Sequence, residues 1–386
     1  GVVAPALTGP LRRRSEVADA VVAAAGSQLW TDLVEQPLGA MIERRFRDDT
    51  VRGVVATDGL IGTHTSLFAP ELLANRCFLY HLIGRGTGEW LVPIGGMGAL
   101  TDALIRRARQ LGVEIQAGTE AIAIDEGATQ VTVTAERDGE QVTFQAAHVL
   151  AAIAPAVLDR CLGREAEDPV GAQVKINMLL DRLPRLKSGI DPRVAFAGTM
   201  HLNEELSELE AAHAITAAGS LPAMVPSEVY CHSLTDPSIM NGHPGATLTL
   251  FGLHTPVGLF RENPDQARSA AAQGALIALQ QHLAEPLLDC LARDEHGEPC
   301  VEIATPVDLE RSLAMPGGNI FHDDLSWPWL ADGFPAETPA AAYGVEVPGS
   351  SRILLAGAGS RRGGGVSGLG GLAAVEALLE LTGEHG

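Results

Sequence analysis

A glycine-rich segment late in the sequence is the feature that most directly suggests chemistry. Eight of the sixteen residues from Ala356 to Gly371 are glycine. Within it, Gly363–Gly368 matches G-x-G-x-x-G, the pattern of loops that bind dinucleotides. In those loops the first glycine directly follows a strand, whereas the six residues Gly357 to Arg362 separate this match from the apolar stretch before it. The segment is therefore not a primary ADP-binding loop.

The same glycines still favour a ligand site. A backbone without Cβ atoms can approach a flat or phosphorylated ligand closely. The helix predicted from about Leu369 presents unpaired N–H groups at its start, with Ser367 near its cap. A flexible loop is the alternative interpretation, but the segment lies between a strand and a well-patterned helix, which favours ligand approach. Ser367 is not within a G-x-S-x-G elbow, so a serine hydrolase is disfavoured.

Two other side chains are candidates for proton chemistry. Lys175 lies among apolar strand residues and is a candidate buried lysine beside a cleft, although a strand lysine that faces water is the alternative. His322 is a candidate proton shuttle, with a structural histidine as the alternative. His232, His243 and His254 recur every eleven residues. That interval is not a ligand spacing, so the sequence predicts no metal site.

Composition and charge narrow the possible partners. The formal net charge is −21, so phosphate backbones and anionic membrane surfaces would repel the chain, and nucleic acid is not expected as a partner. Five widely spaced cysteines without a C-x-x-C pair argue against a disulfide framework or a zinc ribbon and predict a cytoplasmic protein. Because no apolar run approaches the ~18 residues of a membrane span, no integral membrane segment is expected.

Periodicity and turn signals predict the elements that position these residues. A helix is predicted over Ser15–Val34. Gly95–Gly98 forms a turn that leads into a second helix. A β-meander follows, with Val113–Ala117 as its first strand and Asp138-Gly139 as a hairpin turn. Further predicted elements are strands at His148–Ile153, Ala172–Leu180, Thr247–Leu253 and Arg352–Ala356 and a helix that begins at Asn263-Pro264.

Four segments carry a family resemblance. They are Trp90–Leu100; Lys175–Asn177 with Asp181–Pro184; Asp308–Arg311 with Pro316–His322; and Leu355–Gly359 with Gly363–Gly368. In this order they resemble the phytoene-desaturase-like flavoproteins, and among these the subgroup called pyridine nucleotide-disulphide oxidoreductase domain-containing protein 2. The similarity covers most of the chain. Its motifs are moderately specific to the subgroup and are not specific to any substrate.

The resemblance implies an α/β protein with an α+β substrate part. An incomplete glutathione-reductase-like FAD-binding domain would comprise residues 90–160 and 346–386, and a mixed-sheet substrate domain would comprise residues 1–89 and 161–345. FAD is the implied cofactor. The residues implied to contact it are Gly95, Gly96, Met97, Gly357, Ala358, Gly365, Val366, Ser367 and Gly368.

The implied reaction is hydride transfer from an apolar small-molecule substrate to flavin N5, as in a dehydrogenase, a desaturase or an amine oxidase. Lys175 and His322 are the catalytic candidates. Two departures from the family pattern stand out: Asp323 occupies a position where a small residue is implied, and the sequence lacks the first G-x-G-x-x-G that holds the ADP half of FAD. We therefore expect a truncated sequence, a separate FAD-binding chain or a protein that has lost FAD. The alternative function is a non-catalytic or partner subunit of a split flavoprotein, and a homodimer is also compatible.

Overall fold

A five-stranded sheet, a three-stranded meander and a pair of parallel strands organise the chain. A computed structural model describes residues 8–82, 92–363 and 367–383. The strands are β1 (Thr119–Glu126), β2 (Val131–Arg137), β3 (Glu140–Ala146), β4 (Val149–Ala151), β5 (Val174–Leu180), β6 (Met200–Leu202), β7 (Ser227–Tyr230), β8 (Ala246–Gly252), β9 (Val301–Ala304) and β10 (Ile353–Leu355).

Helices surround these strands. They are α1 (Arg14–Ala25), α2 (Ser27–Trp30), α3 (Leu38–Arg45), α4 (Asp49–Thr57), α5 (Leu73–Leu82), α6 (Gly96–Gln110), α7 (Pro155–Cys161), α8 (Pro192–Ala195), α9 (Leu206–Ala217), α10 (His232–Thr235), α11 (Pro264–Gln280), α12 (Pro306–Leu313), α13 (Pro339–Tyr343) and α14 (Leu369–Thr382). Short 3₁₀ turns connect several of them, and the turn Pro237–Met240 borders the site described below.

The five-stranded sheet has the order β6-β7-β8-β5-β9. The α/β class with an α+β part is confirmed, but the expected mixed sheet is wrong, because each strand pair described in this sheet is antiparallel. Parallel neighbours require a crossover that returns the chain to the same end of the sheet. Here each neighbouring strand enters from the opposite end.

Alternation along β5 separates the two faces of this sheet. Ile176 and Leu180 are fully buried and pack with alanines of α11 such as Ala275 and Ala278 in the largest core of the chain. The intervening positions, Lys175 among them, point to the opposite face, because successive strand residues alternate. That second face carries the polar side chains of the candidate site.

A helical layer covers part of the second face. The core of this layer includes Leu38, Ile42 and Leu209 from α3 and α9, and Phe251 of β8 packs against it. Helix α4 lies directly on the loop before α9, since a Cβ at Gly53 would overlap the backbone carbonyl of Glu204. Glycine is therefore required where α4 meets this loop.

The parallel pair β4–β10 is much smaller. Helix α14 packs against it on one side, with Ala373, Ala374 and Ala377 buried beside Leu354. The meander and α7 form a second small core around Ala151 and Ile353 on the other side. The predicted hairpin of the meander is confirmed: it turns at Asp138 and Gly139, whose φ values are both positive, at 54° and 79°.

Two expected elements differ from the structure. The N-terminal helix begins at Arg14 and breaks at Gly26, whose φ of 86° is left-handed, so that α2 and a π-helical turn follow where a continuous helix was expected. Residues 113–117 form no strand in the described chain. Their composition suits a strand, but no neighbouring strand offers the hydrogen bonds that a strand requires.

The five cysteine thiols are free. Among residues 8–82, 92–363 and 367–383, no helix combines the length and apolar character needed to cross a bilayer.

Candidate functional site

The carboxyl ends of β4 and β10 meet at one edge of the parallel pair. Ile353 pairs with Val149 and Leu355 with Ala151 in parallel register, and the N–H of Ala356 donates to the carbonyl of Ala151 over 2.9 Å. The glycine-rich segment therefore begins at this edge. Ligands of open parallel sheets bind at the carboxyl ends of the strands.

Close packing explains several glycines of the segment. A Cβ at Gly357 would lie 3.1 Å from the backbone of Ala152. A Cβ at Gly370, in the first turn of α14, would overlap the carbonyl oxygen of Gly357. The start of α14 is thus held directly against the end of β10. A helix N-terminus carries a partial positive charge that attracts anionic groups such as phosphate.

Flanking contacts fix the ends of this segment. The guanidinium of Arg362 is buried and its Nε donates to the carbonyl of Tyr343 over 3.2 Å. On the other side, Ser367 Oγ accepts the N–H of Leu369 over 3.3 Å, so Ser367 lies at the start of α14 as expected. Gly368 adopts a left-handed φ of 69° immediately before the helix. The predicted residues Gly365 and Val366 lie outside the described residues.

His322 lies beside the glycine segment, because a Cβ at Gly359 would be 3.6 Å from the Cβ of His322. Its backbone is left-handed, with a φ of 68°. Burial lowers the pKa of this imidazole, so it is neutral at pH 7. Its Nδ1 is buried and finds no hydrogen-bond partner in the described chain, and the same holds for Ser360 Oγ. Two unsatisfied polar atoms at one edge indicate that a ligand completes the site.

The segment Gly95–Met97 lies elsewhere, at the start of α6. The N–H of Gly95 donates to Asp236 Oδ2 over 2.7 Å, and a Cβ at Gly96 would lie 3.7 Å from Ile239 Cγ2. Hydrogen bonds from Ser238 and from Gly95 lower the pKa of Asp236. These contacts join the start of α6 to the 3₁₀ turn at the edge of the five-stranded sheet.

An open cleft of about 500 Å³ lies at this junction, on the second face of the sheet. Thr249 Oγ1 donates to Asn177 Oδ1 over 3.1 Å, and Asn177 Nδ2 donates to Glu302 over 2.9 Å, so a row of polar groups crosses three strands. The other residues that line the cleft are Met178, Leu179, His232, Ile239, Thr247, Leu248, Cys300 and Val301.

Lys175 is on the same face as Asn177, two residues earlier on β5. It is exposed and not buried, which corresponds to the alternative interpretation of a strand lysine that faces water. Burial, followed by the charge of Lys175, lowers the pKa of His232. The rings of Tyr230 and His232 are stacked, with centroids 5.8 Å apart and planes at 4°.

The evenly spaced histidines are not brought together. His232 lies at the cleft, and His243 Nε2 is 3.9 Å from a carboxylate oxygen of Asp181. His254 packs instead with His64 and His213, at ring centroid distances of 5.9 and 5.5 Å. Their regular interval therefore has no role in building a common site.

Comparison with known proteins relates this chain to several others. A family described as flavin containing amine oxidoreductase matches residues 27–184. A protein of Mycobacterium tuberculosis with no assigned function is 45% identical over 384 residues, covering 97% of this chain and 71% of its own length. The mouse pyridine nucleotide-disulfide oxidoreductase domain-containing protein 2 is 30% identical over 379 residues, covering 90% of this chain and 61% of its own length.

The chain belongs to the same family as the Mycobacterium tuberculosis protein, and part of it matches the flavin containing amine oxidoreductase family. The resemblance stated from the sequence is confirmed, and so is the expectation of an FAD-dependent oxidoreductase. A solved flavoprotein/dehydrogenase from Cytophaga hutchinsonii aligns with 77% of this chain and 56% of its own, at 13% identity and a TM-score of 0.36. That similarity is too low to support an argument about the fold.

The residues at the carboxyl edge of the parallel pair fit the cofactor of this flavin-containing family. Small residues at Gly357 and Ala358 leave room for close approach, α14 directs its N-terminus to the same edge, and His322 Nδ1 and Ser360 Oγ are buried without partners. FAD supplies phosphate oxygens and ring acceptors that such groups bind.

Sequence reasoning missed the polar row Asn177–Thr249–Glu302 and the orphaned Ser360. A signal for the row existed, because polar residues alternate with buried apolar ones along β5 and β8. Their meeting depends on the register Asn177–Thr249 and Asn177–Glu302. Register between distant strands of this flavoprotein is not readable from one sequence.

Proposed function

We propose that this oxidoreductase removes a hydride from an apolar small-molecule substrate bound in the sheet cleft and transfers it to flavin N5. Bound FAD supplies the two-electron acceptor. The observation that carries the proposal is the position of Ile239, which lines the cleft and also contacts the start of α6 at Gly96. The family resemblance implies that this helix start lies beside the flavin, so the cleft and the reactive ring would be neighbours.

The cofactor-binding part of the proposal rests on the edge formed by β4, β10 and α14. Gly357 and Ala358 would contact the pyrophosphate and ribityl chain, with Ser367 and Gly368 at the helix start. The dipole of α14 would stabilise the phosphate charge. His322 Nδ1 and Ser360 Oγ gain partners when the cofactor binds, which removes the cost of leaving them unsatisfied.

The lining of the cleft indicates the substrate class. Leu179 and Ile239 offer apolar contact, whereas Asn177 and Thr249 form a fixed polar row at one side. Pockets of this kind orient an apolar ligand through a few polar groups. We propose a substrate with an apolar body and one hydrogen-bonding group, such as an amine, next to the C–H bond that is oxidised.

The two catalytic candidates have different roles in this proposal. Oxidation of the substrate would transfer one hydride to flavin N5 and release one proton to water in the open cleft, so the hydride step needs no acid or base. Lys175 is exposed on the cleft face, where it would position a polar substrate group. His322 is neutral because burial lowers its pKa, so it would hold a hydrogen bond at the cofactor without adding charge.

Filling the cleft tests the proposed substrate site. We expect Ile239→Trp to retain the flavin absorption spectrum but to lose anaerobic bleaching of the flavin by long-chain amines and other apolar compounds. Ile277→Trp is the matched control, because Ile277 is exposed on α11. The active compound should bleach the flavin more slowly when its reacting carbon carries deuterium. Bleaching by Ile239→Trp at the wild-type rate would exclude the cleft.

The alternative of a split flavoprotein rests on a separate observation. In the described chain, β4 pairs only with β10, so its other edge is open, and Leu150 of β4 is 37% exposed. An open edge of a parallel sheet accepts a further strand. Native mass spectrometry of the protein isolated from its own cells distinguishes the cases: a complex with a second flavin-binding polypeptide supports the alternative, and a mass of this polypeptide with FAD alone excludes it.

A further inference from the structure

A cluster of one histidine and two buried glutamates lies at the edge of the five-stranded sheet. It is apart from the cleft and from the edge formed by β4, β10 and α14, which we call the flavin edge. His201 of β6 and Glu228 of β7 are directly opposite each other in the antiparallel register. Glu204 follows on the loop before α9. One potential ligand atom from each of these three residues lies within 4.8 Å of the other two.

The local backbone explains how these groups meet. Asn203 adopts a left-handed φ of 51°, which turns the chain after β6 and returns Glu204 toward His201. Helix α4 covers the turn, because a Cβ at Gly53 would overlap the carbonyl of Glu204 and Thr57 Oγ1 donates to Glu204 Oε2 over 3.3 Å. Both carboxylates are consequently buried, each with 4% of its residue surface exposed.

The cluster has too few donors for its carboxylates. His201 Nδ1 contacts Glu204 Oε2 and lies 3.9 Å from Glu228 Oε1. Glu204 Oε1 and Glu228 Oε2 are buried with no hydrogen-bond partner in the described chain. Burial of an unpaired carboxylate is costly, and one imidazole cannot neutralise two acids. Asp58 contributes a further negative potential at Glu228.

We propose that His201 Nδ1, Glu204 and Glu228 bind one divalent first-row transition-metal ion. Two carboxylates and a neutral imidazole balance the charge of such an ion, and mixed nitrogen and oxygen donors without thiolates suit Mn²⁺, Fe²⁺ or Zn²⁺. The two orphaned oxygens add lone pairs that no donor of the described chain uses. This ion would join edge strand β6 to β7 and fix α4 over the loop, so its role is structural.

The site is separate from the flavin chemistry. Glu228 is opposite Phe251 on β8, and Phe251 is opposite Lys175 on β5. One strand, β8, with an aromatic side chain packed into the helical core, therefore lies between the cluster and Lys175. Loss of the metal should reduce stability without changing the flavin spectrum.

Metal uptake tests the proposal directly. The protein is purified without a histidine tag, dialysed against EDTA and then against MnCl₂ or ZnCl₂, and the bound metal is counted by mass spectrometry. We expect about one equivalent per chain and a higher melting temperature with metal. Glu228→Gln and Glu204→Gln should weaken uptake by about a hundredfold or more, since each removes a ligand charge.

Glu285→Gln is the matched control. Glu285 is also a partly buried carboxylate, but it binds Arg182 and Arg185 on another part of the chain, so its exchange should leave metal uptake unchanged. If the cluster variants fail to fold, pulsed electron paramagnetic resonance of Mn²⁺ bound to the wild-type protein provides the answer. Coupling to a histidine ¹⁴N nucleus is expected.

Two results would overturn the proposal. The first is a dialysed protein that takes up neither metal and whose melting temperature does not respond. In that case a proton satisfies the cluster, consistent with the pKa of Glu228, which burial and Glu204 raise to about 8. The second is uptake that Glu228→Gln and Glu204→Gln leave unchanged, or an Mn²⁺ spectrum without nitrogen coupling.

Discussion

The central strands of the five-stranded sheet have hydrogen-bonded strand partners on more sides than the strands of the parallel pair. Strand β5 is seven residues long and has neighbours on both sides, β8 and β9. Strand β4 has three residues and, in the described chain, a single strand partner. Parallel strands are normally covered on both faces and extended by further strands. The parallel pair is thus the less self-sufficient region.

The helices show the same contrast. Helix α11, which covers the antiparallel sheet, buries seven of its seventeen residues. Helix α6, which has fifteen residues, buries none of them among the described residues, and Leu104 on it is 63% exposed. Regions with few buried contacts open at low free energy and gain most from a ligand. We infer that the five-stranded sheet is stable without a ligand, whereas the region of α6 and the parallel pair depends on its cofactor and on further contacts.

Matched leucine truncations should give the largest difference between the regions. Leu250 of β8 is fully buried, so Leu250→Ala should lower the free energy of unfolding by about 2–5 kcal/mol. Leu150 of β4 is 37% exposed, so Leu150→Ala should cost less than about 1 kcal/mol. Urea denaturation of both variants measures the difference. Equal losses would mean that β4 is covered in solution by something absent from the described residues.

Acid should weaken the better-packed region. Burial, followed by the charges of His64 and His213, lowers the pKa of His254 from 6.5 to about 3. Between these pH values His254 is protonated in the unfolded chain but not in the folded chain. The free energy of unfolding therefore falls as the pH decreases from 6.5 toward 3. For one such histidine the loss between pH 7 and pH 5 is about 2 kcal/mol.

His254→Asn isolates this contribution, because asparagine tolerates the left-handed φ of 51° at this position. Urea denaturation at pH 7 and pH 5 should show a pH-dependent loss that is smaller in the variant than in the wild type by that amount. The same pH dependence in both proteins would show that His254 is protonated or solvated in the native state.

Local signals predicted the elements that depend on neighbouring residues alone. The Asp138-Gly139 hairpin and the helix that begins at Pro264 appear as expected, because turn and capping preferences act over a few residues. The strand expected at 113–117 does not form, because a strand needs a partner that composition cannot reveal. Gly26 interrupts the N-terminal helix although apolar periodicity continues beyond it.

The candidate sites could likewise be predicted only where local sequence was enough. The glycine segment and His322 were found because their residue types are unusual in sequence, and the structure brings His322 beside Gly359. The roles assigned to them remain predictions. The pair His201–Glu228 was not foreseen, since it depends on the register of β6 with β7, and β6 has only three residues. Lys175 was correctly placed on a strand, but alternation alone did not show which face is open.

A single methyl group should test how tightly the flavin edge is built. A Cβ at Gly370 would overlap the carbonyl of Gly357 and lie 2.8 Å from Ser360 Oγ, so Gly370→Ala should separate α14 from β10 and raise the dissociation constant of FAD at least about tenfold. Gly98→Ala is the control, because a Cβ there meets open space. Fluorescence titration with FAD measures both. Unchanged affinity in Gly370→Ala would place the cofactor elsewhere.

The smallest expected effect concerns the hydrogen bond that attaches the start of α6 to the rest of the protein. The N–H of Gly95 donates to Asp236 Oδ2 over 2.7 Å, and few other contacts retain this helix. In Asp236→Asn the hydrogen bond loses its charged acceptor, so amides within α6 should exchange with deuterium severalfold faster, while amides of β5 and β8 keep their rates. Asp265→Asn, in the first turn of α11, is the control that should leave α6 unaffected. If α6 exchanges slowly in both variants, it is held by contacts beyond the described residues, and the difference between the two regions is smaller in solution.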